Sequence, residues 1–169
     1  MHNRVKRVIC ILLTWAILIE PILFAAVRGH ASMYVGGTLT AYKVGDKGRL
    51  EASNSGLVFT PDKGTSTTIP YDAITAMDYG EHVGRRVGVA IATGTIAFLS
   101  HKKRHYLTIY LNNDPKVAAE QRAELAKDPK ASPKGDVAAF EVNKHDYATL
   151  MSVLQAKTGL TVRMEEVKR

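Results

Sequence analysis

The sequence predicts an α+β fold, a mostly antiparallel bent β-barrel or sandwich of about seven strands closed by one C-terminal amphipathic helix. Two observations carry this prediction. Short runs that alternate between apolar and polar residues are separated by turn residues, and one apolar helical stripe follows the last run. With 169 residues, 46% of them apolar, the chain has the composition of one ordinary globular domain. Its one cysteine, Cys10, excludes an intrachain disulfide.

The predicted strands are short and are bounded by residues that favour turns. Pro61-Asp62-Lys63-Gly64 fits a type I turn, because proline presets the backbone of the second position and glycine ends the turn. Pro70 stops a run rich in β-branched residues. The resulting segments are 38–42, 49–53, 57–60, 65–69, 74–79, 106–111 and 137–142.

Between the last two strands, an exposed helical insertion is predicted at about residues 113–135. Asp114 is a good N-cap because proline follows it at the first helical position. Val117 and Leu125 are the only large apolar residues of the helix. We therefore expect the insertion to bury little surface and to be mobile.

The C-terminal helix shows the clearest local pattern. Asn143 precedes it as a cap, Lys157 suits the negative end of the helix dipole, and Gly159 suits the first position after the helix. Leu160 is then expected to fold back onto the last turn. The apolar stripe, which we assign to the core, consists of Tyr147, Leu150, Met151 and Leu154.

The N-terminus predicts export. A basic start, the apolar run 8–19 and the small residues of Gly29-His30-Ala31 describe a signal peptide at 1–31, which leaves a single domain at 32–169. The alternative is an uncleaved membrane anchor, although Glu20 and Pro21 interrupt the apolar run. The expected location is secreted or periplasmic, with association to the envelope allowed. Without residues 1–31 the chain has 19 basic and 15 acidic residues, so the excess is modest and nucleic acid is not an expected partner.

A central apolar segment, residues 87–100, carries no charge and is flanked by basic residues. Three interpretations are open: a buried strand in the core, a segment that dips into a bilayer, or a self-association surface in which Gly84 and Gly88 bring backbones close. It is too short for an ordinary membrane-spanning helix. If its two ends meet in space, the cations form one basic rim around an apolar tip.

The second interpretation leads to our functional prediction, a non-catalytic module that docks on a membrane surface through this segment and its rim. The alternative is a protein–protein interaction domain with the segment buried and a groove between the sheet edge and the C-terminal helix. Oligomeric state does not follow from the sequence. The predicted contact residues are Arg85, Arg86, Val87, Val89, Ile91, Ile96, Phe98, Leu99, Lys102, Lys103 and Arg104.

Several short motifs resemble those of pleckstrin-homology-like and GRAM-like domains. They are the stretches 56–61, 68–74, 105–109 and 140–142, and within the second, Ile69-Pro70-Tyr71-Asp72-Ala73-Ile74 is similar to the start of the family's fourth strand. The chain also resembles a group of bacterial exported proteins of unknown function that carry Gly-Arg-Arg-Val-Gly and Lys-Lys-Arg-x-Tyr-Leu-Thr-Ile around an apolar stretch, here residues 84–88 and 102–109.

The resemblance implies a bent antiparallel barrel with a helix closing one end, and a binding or scaffolding role without catalysis. It does not carry over a phosphoinositide site. Lipid-binding members use a basic pattern after the first strand, whereas the loop 43–48 has two lysines, one acid and no arginine.

Signatures of catalysis and of cofactor binding are absent from the sequence. It contains no zinc-protease, nucleophile-elbow, Walker or dinucleotide-binding pattern, so we expect neither an enzyme nor a cofactor. His101 and His105 have a spacing used by metal sites, but the three cations between them would repel a metal ion. We therefore expect no metal site.

Overall fold

The computed structural model describes residues 29–80, 104–129, 131–143 and 147–164. These residues form one sheet of eight strands, two α-helices and a short 3-10 turn at Tyr71–Ala73. The helices are α1 (Pro115–Lys127) and α2 (Tyr147–Thr158). The strands are β1 (His30–Gly37), β2 (Lys47–Ala52), β3 (Leu57–Pro61), β4 (Thr67–Ile69), β5 (Ile74–Gly80), β6 (His105–Leu111), β7 (Asp136–Val142) and β8 (Arg163–Met164).

The sheet consists of two antiparallel meanders that join in the middle. Its order is β4-β3-β2-β1-β7-β6-β5-β8, so β1 to β4 form one meander and β5 to β7 the other. Antiparallel pairing of β1 with β7 connects them. The prediction of an α+β, mostly antiparallel fold is confirmed. The strand count is eight instead of about seven, and β8, which pairs in parallel with β5, was not predicted because a two-residue strand has no periodicity to detect.

The first predicted strand, residues 38–42, is wrong. This stretch is the loop between β1 and β2, and the strand precedes it, at His30–Gly37. Gly37 ends β1 with a φ of 144°, which only glycine adopts readily. Within this loop Tyr42 turns into the core, where its hydroxyl donates to the Phe59 carbonyl at 3.2 Å.

The predicted boundary between signal peptide and domain falls inside β1. His30 pairs with Leu50, and Ala31 pairs with Arg49 on β2. The Ser32 hydroxyl also donates to the His30 carbonyl at 2.9 Å. The first strand of the sheet therefore includes the last two residues of the predicted signal peptide, and residues 1–28 lie outside the described residues.

The main core fills the inner face of the sheet. At its centre, four aromatic rings pack at centroid distances of 4.9 to 5.6 Å: Tyr34, Tyr42, Phe59 and Phe140. Edge and tilted arrangements of this kind are favoured by the charge distribution of the rings. Burial raises the pKa of the Tyr34 hydroxyl to about 12, so this group remains neutral in the folded protein at ordinary pH.

Helix α2 covers the same core, as predicted. Leu150, Met151 and Leu154 are buried, and Leu160 packs against the cluster after the helix ends. Gly159 ends the helix with a φ of 69°, and its N–H donates to the Gln155 carbonyl at 2.9 Å. The Ile69–Ile74 motif ends one strand at Ile69 and begins the next at Ile74, as the sequence predicts. However, it leads through the 3-10 turn into the fifth strand and not the fourth.

Helix α1 lies where the sequence predicts a helical insertion, and one of its side chains attaches it to the sheet. Asp114 caps the helix by accepting from the Lys116 N–H at 2.9 Å. Within the helix only Ala118 is fully buried, as expected for an exposed element. Arg122 nevertheless ties the helix to the sheet, because its guanidinium donates to the carbonyls of Ile74 and Tyr71 at 2.7 and 2.6 Å.

Arg122→Ala is expected to loosen α1 from the sheet. Hydrogen bonds from a charged donor contribute about 1.5–3 kcal/mol each, and partial exposure lowers the sum here, so we expect a loss of about 2 kcal/mol in unfolding free energy. Urea denaturation measures the loss, and amide exchange in α1 locates it. Lys127→Ala on the exposed side of the same helix is the control, and an equal loss in both variants would contradict the assigned role of Arg122.

Candidate docking surface

Most of the predicted contact residues lie outside the part of the chain that the structure describes. This holds for the whole apolar segment and for both pairs of flanking cations. Arg104 is the one predicted contact residue that is described, and it lies directly before β6. The residues outside are Arg85, Arg86, Val87, Val89, Ile91, Ile96, Phe98, Leu99, Lys102 and Lys103.

The two points where the central segment joins the sheet are adjacent. Strand β5 ends at Gly80, β6 begins at His105, and Gly80 pairs directly with Tyr106. Opposite residues of an antiparallel pair lie about 4.5–5.5 Å apart. Residues 81–104 therefore connect neighbouring strands of one hairpin, and the ends of the apolar segment itself lie outside the described residues.

Arg104 is held by an ion pair at this root. Its guanidinium donates to the Glu141 carboxylate on β7 at 2.7 Å, and the two side chains are 30% and 26% exposed. The hydrogen bond to Glu141 and its negative charge raise the pKa of Arg104 above its ordinary value. Arg104 is thus partly neutralised by its own sheet and contributes less to a basic rim than the sequence suggests.

Three stacked aromatic rings pack next to the same root, on the inner face of the sheet. Tyr79, which precedes Gly80, stacks on Tyr147 of α2 with centroids 4.5 Å apart and planes at 12°. His105 is nearly parallel to both, at 5.7 and 6.0 Å. The sequence contained no signal for this cluster, because the three residues come from three separate elements. His105, considered above as a metal ligand, serves here as a packing ring.

A concavity opens beside this root and is lined by residues from both faces of the sheet. Its volume is about 840 Å³, and strands β2, β1, β7 and β6 form its walls. Lys47 and Arg49, two residues apart on β2, both point to the outer face and are exposed. The acidic residues of its lining are Asp62 and Glu141. Sequence analysis did not select the two β2 cations, since isolated basic residues in a strand are common.

Charge is distributed unevenly between the described residues and the rest of the chain. The described residues contain eleven Lys and Arg against eleven Asp and Glu. The other segments contain twelve basic and five acidic residues, so they carry the entire formal excess of +7. A basic docking surface on this protein depends on those segments or on local clusters, because the described domain has no net charge.

Metal-site and membrane-span geometry is not found in the described ranges. No group of three or more His, Cys, Asp or Glu side chains is placed to hold a metal ion within residues 29–80, 104–129, 131–143 and 147–164. Within the same ranges, neither helix is long and apolar enough to cross a bilayer.

These features define a small α+β domain with a curled sheet, a C-terminal helix on its core, and a connection between β5 and β6 that contains the uncharged residues 87–100 of the sequence. No family model matches the chain, and no curated protein matches it. Among solved structures it is similar to a chain in "Structure of the Spt16D Pob3N heterodimer", with 12% identity and a TM-score of 0.44. The alignment covers 80% of this chain and 53% of that chain, so this chain spans about half its length. Similarity of this size carries no functional conclusion.

Proposed function

We propose that this protein is an exported, non-catalytic binding module of the pleckstrin-homology-like type, which docks on an anionic membrane surface. The contact is made by the apolar segment 87–100 and the cations on both sides of it. The single observation that carries the proposal is the pairing of Gly80 with Tyr106, which places both roots of the segment at one point of the sheet.

The charge pattern supports a bilayer as the partner. Arg85 and Arg86 precede the apolar residues, and Lys102 and Lys103 follow them, while the described domain is neutral. An uncharged stretch between two cationic pairs matches a bilayer, in which anionic headgroups lie above an apolar interior. Each cation near such a surface contributes about 1 kcal/mol.

The strand order supports the pleckstrin-homology-like assignment. A four-stranded meander, a three-stranded meander joined to it through β1 and β7, and a helix packed on the shared core reproduce the architecture that the sequence motifs imply. In this arrangement β5 and β6 pair on either side of the connection 81–104, and β6 continues the pairing to β7.

Vesicle sedimentation tests the proposal. The full sequence is expressed, and the protein is purified after the cell has exported it. It is then mixed with phosphatidylcholine vesicles with or without phosphatidylglycerol. We expect binding that needs the anionic lipid and falls as salt is added. Reversing the charges of Arg85, Arg86, Lys102 and Lys103 with glutamate should weaken it at least about 100-fold. Arg104 stays unchanged, because Glu141 needs its partner.

The matched control reverses four exposed lysines elsewhere on the domain: Lys116, Lys127, Lys134 and Lys157. This variant has the same net charge as the first, so a purely global charge effect would weaken both equally. Vesicle binding that changes neither with salt nor with the four charge reversals near the segment would contradict the membrane proposal. The protein–protein interaction domain would then be the favoured function.

A further inference from the structure

We propose that the N-terminal apolar stretch, residues 8–27, stays attached to the folded domain as a membrane anchor, and that the bond between Ala31 and Ser32 is not cut. This inference goes beyond the proposed function, because it concerns a different part of the chain and does not depend on contact by the segment 87–100. It decides between a cleaved signal peptide and a retained anchor, which the sequence leaves open.

The predicted cleavage bond lies inside a central strand of the sheet. Strand β1 has β2 on one side and β7 on the other. Ala31 pairs with Arg49 on β2. Ser32 pairs with Gly48 on β2 and with Val142 on β7. A protease binds its substrate as an extended segment with free edges, so the folded domain protects this bond.

A cut made before folding would leave an incomplete first strand. It would remove His30 and Ala31, and with them two of the four residue pairs between β1 and β2. The new terminal ammonium would lie on Ser32, which is 9% exposed. Burial of a charge is unfavourable unless a partner compensates it. The folded domain therefore begins before the bond that the cleavage pattern marks.

The fold itself explains the glycine of the cleavage pattern. A side chain at Gly29 would place its Cβ atom 3.2 Å from the Cβ atoms of Arg49 and Glu51, closer than ordinary van der Waals contact. Gly29 thus permits the close approach of the chain to β2. Between residues 20 and 32, Gly29-His30-Ala31 is the only place where two small residues stand at the spacing of a cleavage site. With this pattern assigned to the strand, no second one remains there.

The stretch 8–27 is long enough to cross a bilayer, which takes about 20 residues in a helix. Twelve of its residues are Val, Ile, Leu or Phe, each of which favours insertion, and Glu20 is its only charged residue. Proline, present here as Pro21, is tolerated in membrane helices. Three basic residues precede the stretch and Arg28 alone follows it, which favours a cytoplasmic N-terminus and an exported domain.

An anchor at this point holds the end of the sheet that carries the connection 81–104. Two residues separate the stretch from β1, and two extended residues span about 7 Å. Ser32 pairs with Val142, and Val142 pairs with His105 at the start of β6. Two strand spacings, about 10 Å, therefore separate β1 from that root. The anchor keeps the connection close to the bilayer and raises the effective concentration for any contact that it makes there.

A single substitution separates a retained anchor from a cleaved signal peptide. The full sequence is expressed, the membranes are washed with alkaline carbonate to remove proteins held only at the surface, and the intact mass of the chain is measured. We expect the unchanged chain to stay in the membrane with residues 8–27 attached. Arg28→Ala completes a cleavage pattern with Ala26 that ends directly before Gly29. This variant should lose residues 1–28 and be released as a domain with an intact β1.

Ala31→Leu is the matched control. Ala31 is exposed, so the strand accommodates a larger side chain, and leucine would block a cut after this position. The control should have the same retention as the unchanged chain. An unchanged chain that begins anywhere between residues 20 and 32, or that carbonate releases, would overturn the inference. Retention of Arg28→Ala would contradict the argument that the position of the cleavage pattern decides the outcome.

The released domain also keeps this inference apart from the proposed function. A retained anchor holds the chain in vesicles of any charge, so the dependence on anionic lipid is measured with the domain that Arg28→Ala releases. If this domain does not bind anionic vesicles, the proposed function is wrong and the anchor stands. If it binds them while the unchanged chain proves to be cleaved, the anchor is wrong and the proposed function stands.

Discussion

Gly37→Ala is expected to destabilise the protein by at least about 4 kcal/mol and to prevent accumulation of folded protein at physiological temperature. Two effects add at this position. The φ of 144° lies in a region that residues with a side chain rarely adopt. A methyl group there would also overlap the Val137 carbonyl oxygen and lie 2.8 Å from its carbon. Those atoms belong to the backbone of β7, whose pairing with β1 joins the two meanders.

Gly45→Ala provides the matched control. This glycine also has a positive φ, of 94°, but a methyl group there would meet nothing within 4 Å. It should lose only the conformational contribution, about 1–2 kcal/mol. Urea denaturation of both variants separates the two effects. Equal losses would mean that the contact between β1 and β7 is not as close as the structure has it.

Phe140→Ala is expected to cost about 3–5 kcal/mol, because it removes a large side chain and leaves a cavity. Phe140 is 0% exposed and contacts the rings of Tyr34 and Phe59, which come from the other meander. The lost ring therefore weakens the core where the two halves of the sheet meet. Chemical denaturation monitored by tyrosine fluorescence and circular dichroism measures the change.

Two further variants serve as controls for Phe140→Ala. Phe140→Leu keeps most of the volume and should cost less than about 1.5 kcal/mol. Val44→Ala changes a residue that is 52% exposed and should be within about 0.5 kcal/mol of the unchanged protein. A loss at Phe140→Ala no larger than that at Val44→Ala would show that the aromatic cluster is not the centre of the core.

Local sequence was sufficient for the elements whose own residues carry the pattern. Helix α2 has its apolar stripe and its glycine end, and α1 has Asp114 followed by proline. Six of the seven predicted strands exist, because short runs of apolar and β-branched residues bounded by turn residues indicate strands, whether one face is buried or, as in β5, β6 and β7, both are. The same rule failed at residues 38–42, which form a loop although polar and apolar residues alternate there.

The candidate surface was predicted only as far as linear charge and hydropathy extend. The sequence determined that an uncharged stretch lies between two cationic pairs. It did not identify the pairing of Arg104 with Glu141, the stack of Tyr79 on Tyr147, or the pairing of Gly80 with Tyr106. Each joins residues from different strands or helices.

By itself, then, the amino-acid order determined the fold class, most of the elements and the composition of the apolar segment, because propensity, periodicity and charge are properties of neighbouring residues. Only the tertiary structure decided which strands pair, and hence that Gly80 lies beside Tyr106. Pairing between distant strands depends on the packing of the whole core, and no short stretch of sequence contains that information.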